Sequence, residues 1–159
     1  MKKEFWKWHR LKEQLNDRKR RVFFYEREIW FCSIGLNVGS EQDGKNAWFE
    51  RPVLIFKKCN PDLFWGIPLT TKSKTGNWYF QFKIFYENSI PTENSAILHQ
   101  IRIFDTKRLR RKMGVLNEKE FEVLVTQFQQ LLPTRKLGIQ SSLDTYGFPL
   151  ASEVPDNRG

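Results

Sequence analysis

The stretch SAILHQIRIFDTKRLRRKMGVLNEKEF, residues 95–121, contains the signals that decide the fold. It opens with the apolar run SAILHQIRI, residues 95–103, whose β-forming side chains predict a buried strand. Asp105 follows, and its carboxylate can cap a short helical turn that carries Lys107 and Arg108. The stretch therefore predicts a strand, a short turn-helix and then a longer helix, in that order.

The longer helix has a clear beginning and a clear end. Asn117 is followed three residues later by Glu120, a spacing similar to that of a capping box. Apolar residues then recur on one helical face: Phe121, Leu124, Val125, Phe128, Leu131 and Leu132. Pro133 lacks the backbone N–H that a continuing helix needs, so the helix should stop before it.

Four short apolar runs precede this stretch and also predict strands. They are IWFCSIG (29–35), PVLIFKK (52–58), DLFWGIPLTT (62–71) and WYFQFKIF (78–85). Clusters of turn-forming residues, such as NVGSEQDGKN and KSKTGN, separate them. Short strands joined by such turns predict a mainly β fold, either a compact barrel or a sandwich. The sequence has no G-x-G-x-x-G or P-loop, so a nucleotide-binding α/β fold is unsupported.

Composition narrows the class of partner. A chain of 159 residues is long enough for one domain with a core and too short for two ordinary domains. Its formal net charge of +9 predicts a polyanionic partner: nucleic acid, an anionic membrane or an acidic protein. Aromatic residues make up 15% of the chain, so besides filling a core, an exposed minority can stack on unpaired bases.

The cysteines and the N-terminus predict a cytoplasmic protein. Cys32 and Cys59 lie in or beside apolar segments, without Cys-x-x-Cys or zinc-finger spacing, and are expected to be buried and reduced. No apolar run approaches the length that crosses a bilayer. The charged N-terminus lacks the apolar region of a secretory signal.

The chain is predicted to have three regions. Residues 1–26 form a basic helical arm with an apolar stripe of Phe5, Trp6, Trp8, Leu11 and Leu15. The arm can grip nucleic acid electrostatically, or it can pack its tryptophans on the domain, and both can hold together. Residues 27–133 form the barrel domain. Residues 134–159 contain few large apolar side chains and are expected to form a loosely held tail.

Several motifs, in this order, resemble the MazF/PemK family of toxin–antitoxin endoribonucleases. They are VGSEQDG (38–44), the Arg-Pro that opens ERPVLIF (50–56), and the Gln-x-Arg and Asp-x-x-Arg-Leu of the stretch quoted first. The resemblance covers roughly residues 27–132. It implies a small SH3-like β-barrel of the MazF/PemK/CcdB type with a C-terminal helix, a homodimer, and an RNA groove that crosses the dimer interface.

The resemblance also implies a reaction. Family members cut single-stranded RNA through attack of its own 2′-OH, which leaves a 2′,3′-cyclic phosphate and a 5′-OH. They typically need no metal or other cofactor, and this chain, with only two histidines, has no clustered ligand set. A cognate antitoxin is expected to lay an acidic, aromatic-containing segment into the basic groove.

Arg51 and Thr70 are the first two candidate catalytic residues. Arg51 matches the family's catalytic arginine, and a guanidinium can hold the scissile phosphate through two donors. Its alternative role is a surface arginine paired with Glu50. Thr70 matches a strand-borne threonine whose hydroxyl can donate to a phosphate oxygen, although a strand threonine is also common for its β-branching alone.

Proton transfer has two candidates, Glu41 and His99. Glu41 matches the glutamate of the family's Ser-Glu-Gln loop, where it can accept the 2′ proton, orient Arg51 or simply belong to a solvated turn. His99 stands where family members commonly carry an acidic residue. Histidine suits acid–base chemistry near neutral pH, yet a lone strand histidine is more often structural.

The remaining candidates would contact substrate or support the site. They are Gln42, Trp48, Phe49, Lys72, Ser73 and Gln100. Trp48 and Phe49 lie in KNAWFE, a segment longer than the family's common spacing, and can stack on a flipped-out base or fill a groove. Gln100 and Arg102 match the family's Gln-x-Arg, whose expected role is to tie the barrel or dimer together.

Two alternatives to an endoribonuclease remain open. One is a non-catalytic toxin resembling CcdB, which shares the fold and poisons gyrase through C-terminal aromatic and glycine residues that this chain does not show. The other is a degenerate homologue that only binds nucleic acid through its basic arm.

Overall fold

The computed structural model describes residues 3–84 and 91–133, which form seven strands, two α-helices and two 3-10 turns. The strands are β1 (Glu28–Ser33), β2 (Glu50–Lys58), β3 (Leu63–Thr70), β4 (Tyr79–Ile84), β5 (Thr92–Ile97), β6 (Arg102–Asp105) and β7 (Leu109–Val115). Helix α1 is Phe5–Asn16, helix α2 is Glu118–Gln130, and the 3-10 turns are Leu98–Gln100 and Thr106–Arg108. The predicted tail, residues 134–159, lies outside the described residues.

The strands form one curled antiparallel sheet. Their order is β4-β5-β3-β2-β1-β7, and β6 also pairs with β3. Only the second 3-10 turn separates β6 from β7, so the sheet curls back through β3, β2 and β1 to β7. This curled sheet with its two helices confirms the predicted mainly β fold with a small barrel.

Helix α2 forms as predicted and covers one end of the sheet. The Asn117 side chain accepts a hydrogen bond from the backbone N–H of Lys119 at 2.9 Å, which satisfies one free donor of the first turn. Leu124 is fully buried, and the rings of Phe121 and Phe128 pack against Phe56. Leu132 was placed on the same face but is exposed, because the helix has already ended at Gln130.

The prediction of one continuous strand over residues 95–103 was wrong. Ala96 of β5 pairs with Leu69 of β3, and Arg102 of β6 pairs with Gly66. The chain therefore advances six residues from β5 to β6 while its partner β3 advances only three. The additional residues are extruded as the first 3-10 turn. Leu98 is still fully buried inside this turn, so the apolar pattern reads as continuous although the strand is interrupted.

Strand β7 was not recognised in the sequence. Its residues, LRRKMGV, are too polar to show a buried strand, but they pair antiparallel with β1, with register shifts on either side of Trp30 and Phe31. Ion pairs with buried carboxylates replace apolar contacts: Arg110 Nε lies 2.9 Å from Glu50 and Lys112 Nζ lies 2.6 Å from Glu28. These cations are stable in a strand because Glu28 of β1 and Glu50 of β2 pair with them, and the local sequence of β7 does not show those partners.

Helix α1 packs on the barrel through part of its predicted stripe. Trp8, Leu11 and Leu15 are buried, whereas Phe5 and Trp6 are exposed, so only one of the two arm tryptophans packs on the domain. The indole of Trp8 lies so close to Gly35, whose φ is +90°, that any side chain there would overlap the ring. The glycine thus lets the helix approach the end of β1.

The two cysteines differ, contrary to the expectation that both are buried. Cys32 is fully buried, whereas Cys59 follows β2 in an exposed turn. Burial raises the pKa of the Cys32 thiol from 9.0 to about 12, against a weaker opposing effect of Arg108 and Arg102.

We expect iodoacetamide to alkylate Cys59 of the folded protein at least about a thousandfold faster than Cys32, since only the thiolate reacts. Peptide mass spectrometry over a time course measures this ratio, and equal rates would contradict the described burial.

Candidate active site

A groove of about 1050 Å³ opens where β2 begins and β3 ends, beside the β1–β2 loop and the first 3-10 turn. Most of the predicted site residues line it: Glu41, Gln42, Arg51, Thr70, Lys72, His99 and Gln100. Five cations line it against two acids, since Lys45, Lys74 and Arg102 join Arg51 and Lys72, and only Glu41 and Glu50 oppose them. The groove therefore suits an anionic chain.

Arg51 is half-buried at the floor of this groove. Its Nε donates to the carbonyl oxygen of Asp43 at 2.8 Å, and its Nη1 donates to the carbonyl oxygen of Leu69 at 3.3 Å. Burial lowers the pKa of Arg51, and the nearby charge of Asp43 acts in the opposite direction. Two carbonyls thus fix the guanidinium, and Nη2 makes no hydrogen bond within the described residues.

Glu50 does not neutralise Arg51. Its carboxylate is buried and pairs instead with Arg110 at 2.9 Å and Arg111 at 3.7 Å. The alternative reading of Arg51 as one half of a surface pair with Glu50 was therefore wrong. Nor does Glu41 orient the guanidinium: among the described residues no hydrogen bond or ion pair joins the two, and the Glu41 carboxylate accepts from the backbone N–H of Val38 at 3.2 Å.

Thr70 lies at the end of β3, beside β5. Its Oγ1 accepts a hydrogen bond from the backbone N–H of Lys72 at 3.3 Å, which leaves the hydroxyl hydrogen free to donate. The side chain is half-exposed to the groove. Ser73, three residues further along the chain, lines a smaller neighbouring pocket and not the groove.

The loop with Glu41 and Gln42 is held by an internal network that the sequence did not reveal. The Asp43 carboxylate accepts from the backbone N–H of Asn37, and the Asn37 amide donates to the Gln42 carbonyl, both at 2.7 Å. Lys3 of the arm pairs with Asp43 at 2.7 Å. Because the carbonyl of Asp43 also holds Arg51, this network links the arm to the floor of the groove.

Gln100 and Arg102 fasten the same loop from the other side. The Gln100 amide oxygen accepts from the backbone N–H of Gln42 at 2.6 Å, and its nitrogen donates to the Ser40 carbonyl at 3.1 Å. Arg102 donates to the Asn37 side chain at 3.0 Å and to the Ile34 carbonyl at 2.8 Å. Both ends of the Gln100 amide are thus occupied by the loop, which favours a supporting role for that residue over the substrate contact also predicted for it.

His99 stands on the extruded 3-10 turn, not on a strand as expected. It is exposed and lines the groove. Its ring meets the rings of Trp78 and Tyr79 edge-on, with centroids 5.8 and 5.6 Å away. The turn therefore presents an accessible imidazole in the groove, next to Gln100, which is bonded to the Glu41 loop.

Trp48 and Phe49 do not line the groove. The Trp48 ring lies beneath the guanidinium of Arg110, 3.7 Å from the ring centroid. Phe49 packs edge-on against Trp8, with centroids 5.7 Å apart. One ring is thus covered by a cation and the other is part of the contact between arm and barrel, so the predicted base stacking has no open ring face in the groove.

Two kinds of site are not found among residues 3–84 and 91–133. No group of three or more His, Cys, Asp or Glu side chains is placed to hold a metal ion. No helix there is both long enough and apolar enough to cross a membrane. The groove is the place where the described chain gathers most of its predicted functional side chains.

The family described as a PemK-like, MazF-like toxin of type II toxin–antitoxin systems matches residues 25–132, more than half of the chain. No curated protein matches the chain significantly. The matched span contains the groove and leaves helix α1 outside it.

Three solved structures resemble this fold. The Mycobacterium tuberculosis toxin MazF-mt6 is 15% identical, with 65% of this chain and 94% of that chain covered and a TM-score of 0.50. MazF from Deinococcus radiodurans is 13% identical, with coverages of 69% and 96% and a TM-score of 0.53. A mycobacterial endoribonuclease in complex with its cognate antitoxin is 13% identical, with coverages of 71% and 100% and a TM-score of 0.51. At these identities the similarity shows a shared fold.

Proposed function

Because the chain belongs to the PemK-like, MazF-like toxin family of type II toxin–antitoxin systems, we propose that it is a metal-independent endoribonuclease that cleaves single-stranded RNA by 2′-OH attack. The observation that carries the proposal is the guanidinium of Arg51, held by two main-chain carbonyls at the floor of a cationic groove. A fixed cation without a carboxylate partner suits a phosphate whose charge increases in the transition state.

Arg51 and Thr70 are assigned to the phosphate. Arg51 would stabilise the pentavalent phosphorane through Nη2, and the Thr70 hydroxyl would donate to a non-bridging oxygen. Both residues stand at the same end of neighbouring strands, so one phosphate can contact them together. Rigid strands suit this task, because the donors need no reorganisation during the reaction.

Proton transfer is assigned to Glu41 and His99, which line the groove from the loop and from the 3-10 turn. One removes the 2′ proton, and the other protonates the leaving 5′-oxygen. Gln42 and Lys72 are the proposed substrate contacts beside them, and Gln100 is a positioning residue that holds the Glu41 loop.

The proposed partner proteins follow from the same groove. A cognate antitoxin would block it with an acidic segment, which matches the excess of cations. A relative of the same fold was solved as an endoribonuclease bound to its cognate antitoxin.

We further propose that the protein is a homodimer and that it acts in the cytoplasm. We propose that residues 1–26 form the arm, residues 27–133 the barrel domain and residues 134–159 the tail.

The function is tested with purified protein and a mixed pool of single-stranded RNA in EDTA. We expect new ends that carry 2′,3′-cyclic phosphates and 5′-hydroxyls. A 2′-deoxy nucleotide placed at a mapped cut site should abolish that cut, because the attacking oxygen is gone. Persistent cutting there would contradict the mechanism. An absence of any cut from folded protein would favour the binding alternatives, and gyrase inhibition would then be assayed.

A further inference from the structure

A second cationic cavity lies outside the groove, where the arm crosses the start of β7. It has a volume of about 360 Å³ and is lined by Arg18, Arg20, Lys107 and Arg110, with apolar side chains between them. We call it the cationic hollow. No acidic residue lines it within the described part of the chain. Two of its cations come from the arm, outside the span that matches the family.

The hollow is built by the fold and does not arise from a free tail. Arg18 donates to the carbonyl of Lys107 at 3.0 Å, and Lys107 Nζ donates to the carbonyl of Asn16 at 2.6 Å. These two bonds tie the end of α1 to the second 3-10 turn. Buried Leu11 and Leu15 hold the preceding helix against the barrel. The cations are therefore gathered before any ligand arrives.

Gathering four cations is electrostatically unfavourable without an anion. Burial, together with the charges of Arg110 and Arg20, lowers the pKa of Arg18. The Glu50 carboxylate neutralises Arg110 only in part, because it also pairs with Arg111. Arg20 forms no ion pair among the described residues. A bound anion would relieve this repulsion, and the guanidinium fork suits phosphate.

Among the described residues, the groove and the hollow share no lining side chain, but an ion pair joins a residue of one to a residue of the other. Glu50 and Phe31 line the groove. Arg110 pairs with Glu50 and also lines the hollow, and the Arg111 guanidinium lies 3.8 Å from the Phe31 ring centroid. A strand that leaves the groove along this side meets a row of cations that ends at the arm.

We propose that the cationic hollow is a second phosphate-binding site, which holds single-stranded RNA beyond the nucleotides in the cleavage groove. The proposal rests on the proposed function, because it takes RNA to be the ligand of the groove. RNA is favoured over an acidic peptide because its charges repeat at every nucleotide and can occupy the groove and the hollow with one continuous strand. Strands too short to leave the groove would not use the site.

The test uses labelled 2′-O-methyl RNA, which lacks the attacking hydroxyl, in a series of increasing length. The double variant Arg18→Gln/Arg20→Gln removes two charges and keeps side-chain N–H donors. The control Lys57→Gln/Lys119→Gln removes two exposed charges that line neither the groove nor the hollow. Binding is measured by fluorescence anisotropy at several salt concentrations, with thermal unfolding to confirm equal stability.

Above a threshold length, the hollow variant should bind about tenfold more weakly at low salt than wild type. Its slope of log affinity against log salt should be shallower by about 1.4, that is, about 0.7 for each lost phosphate contact. Below that length, hollow variant and control should bind alike. In cleavage assays the hollow variant should show a raised KM for long RNA and an unchanged kcat.

Equal affinities and salt slopes for the two double variants on long RNA would overturn the proposal. So would a variant that loses affinity for a poly-glutamate peptide but keeps its affinity for RNA, since the hollow would then bind protein. Because 2′-O-methyl RNA cannot be cut, this result is independent of catalysis. A length-dependent loss of binding without any cleavage of ordinary RNA would support the hollow and contradict the proposed nuclease.

Discussion

Replacing Arg51 by alanine is expected to lower the rate of RNA cleavage by about a thousandfold, the usual effect of removing a transition-state donor. The fold should remain intact. In the absence of RNA the guanidinium is half-buried beside two carbonyls, and burial lowers its pKa, so the charged form is less favourable there than in water. Alanine removes that unfavourable charge, and the melting temperature should stay the same or rise.

Single-turnover cleavage and thermal unfolding together test this prediction. Arg51→Lys is the matched variant, because it keeps the positive charge but loses the forked pair of donors. It should retain an intermediate rate, about tenfold to a hundredfold below that of wild type. Wild-type rates for Arg51→Ala in EDTA would remove Arg51 from the mechanism. A large loss of stability would mean that its two carbonyl contacts matter for folding.

Replacing Gly44 by alanine is expected to destabilise the protein by about 3 kcal/mol and to suppress cleavage. A Cβ on Gly44 would overlap the backbone carbonyl of Phe49, and backbone cannot rotate away as a side chain can. Gly44 N also bonds the carbonyl of Gly35 at 2.7 Å, so the whole closure of the loop would shift. The carbonyl of the adjacent Asp43, which holds Arg51, would move with it.

Gly39→Ala is the control in the same loop. Gly39 has a φ of +55° but open space around its Cβ position, so alanine there should cost only about 1 kcal/mol. Chemical denaturation should separate the two variants by about 2 kcal/mol, with cleavage lost mainly in Gly44→Ala. Equal stability and equal activity of the two would show that the loop closure is not rigid.

The sequence predicted many of the residues that line the groove, but it did not predict the groups that hold them in place. Arg51 and Thr70 stand at strand ends, where turn clusters and apolar runs locate them, and both line the groove as the family motifs suggested. The roles assigned to them stay predictions. Arg51 is held by the main-chain carbonyls of Asp43 and Leu69, and because every residue type has such a carbonyl, no side-chain pattern reveals them.

The predicted placements of His99, Trp48 and Phe49 were wrong for a common reason: their positions depend on contacts between distant parts of the chain. His99 was expected on a strand, but it lies on an extruded turn because β3 pairs with two segments whose registers differ by three residues. Trp48 and Phe49 were expected to face RNA, but they meet Arg110 and Trp8, which are far away in sequence. A periodic pattern records which residues are apolar and does not record which partner they meet.

The sequence by itself determined the mainly β class, the capped helix α2, the family and the positions of Arg51, Thr70 and the Glu41 loop along the chain. These follow from local signals: apolar periodicity, caps, turn residues and short motifs. Only the tertiary structure decided that Lys3 and Gln100 hold that loop and that the arm joins β7 in the cationic hollow. Those contacts join residues tens of positions apart, and their geometry depends on how the curled sheet closes, which no local signal encodes.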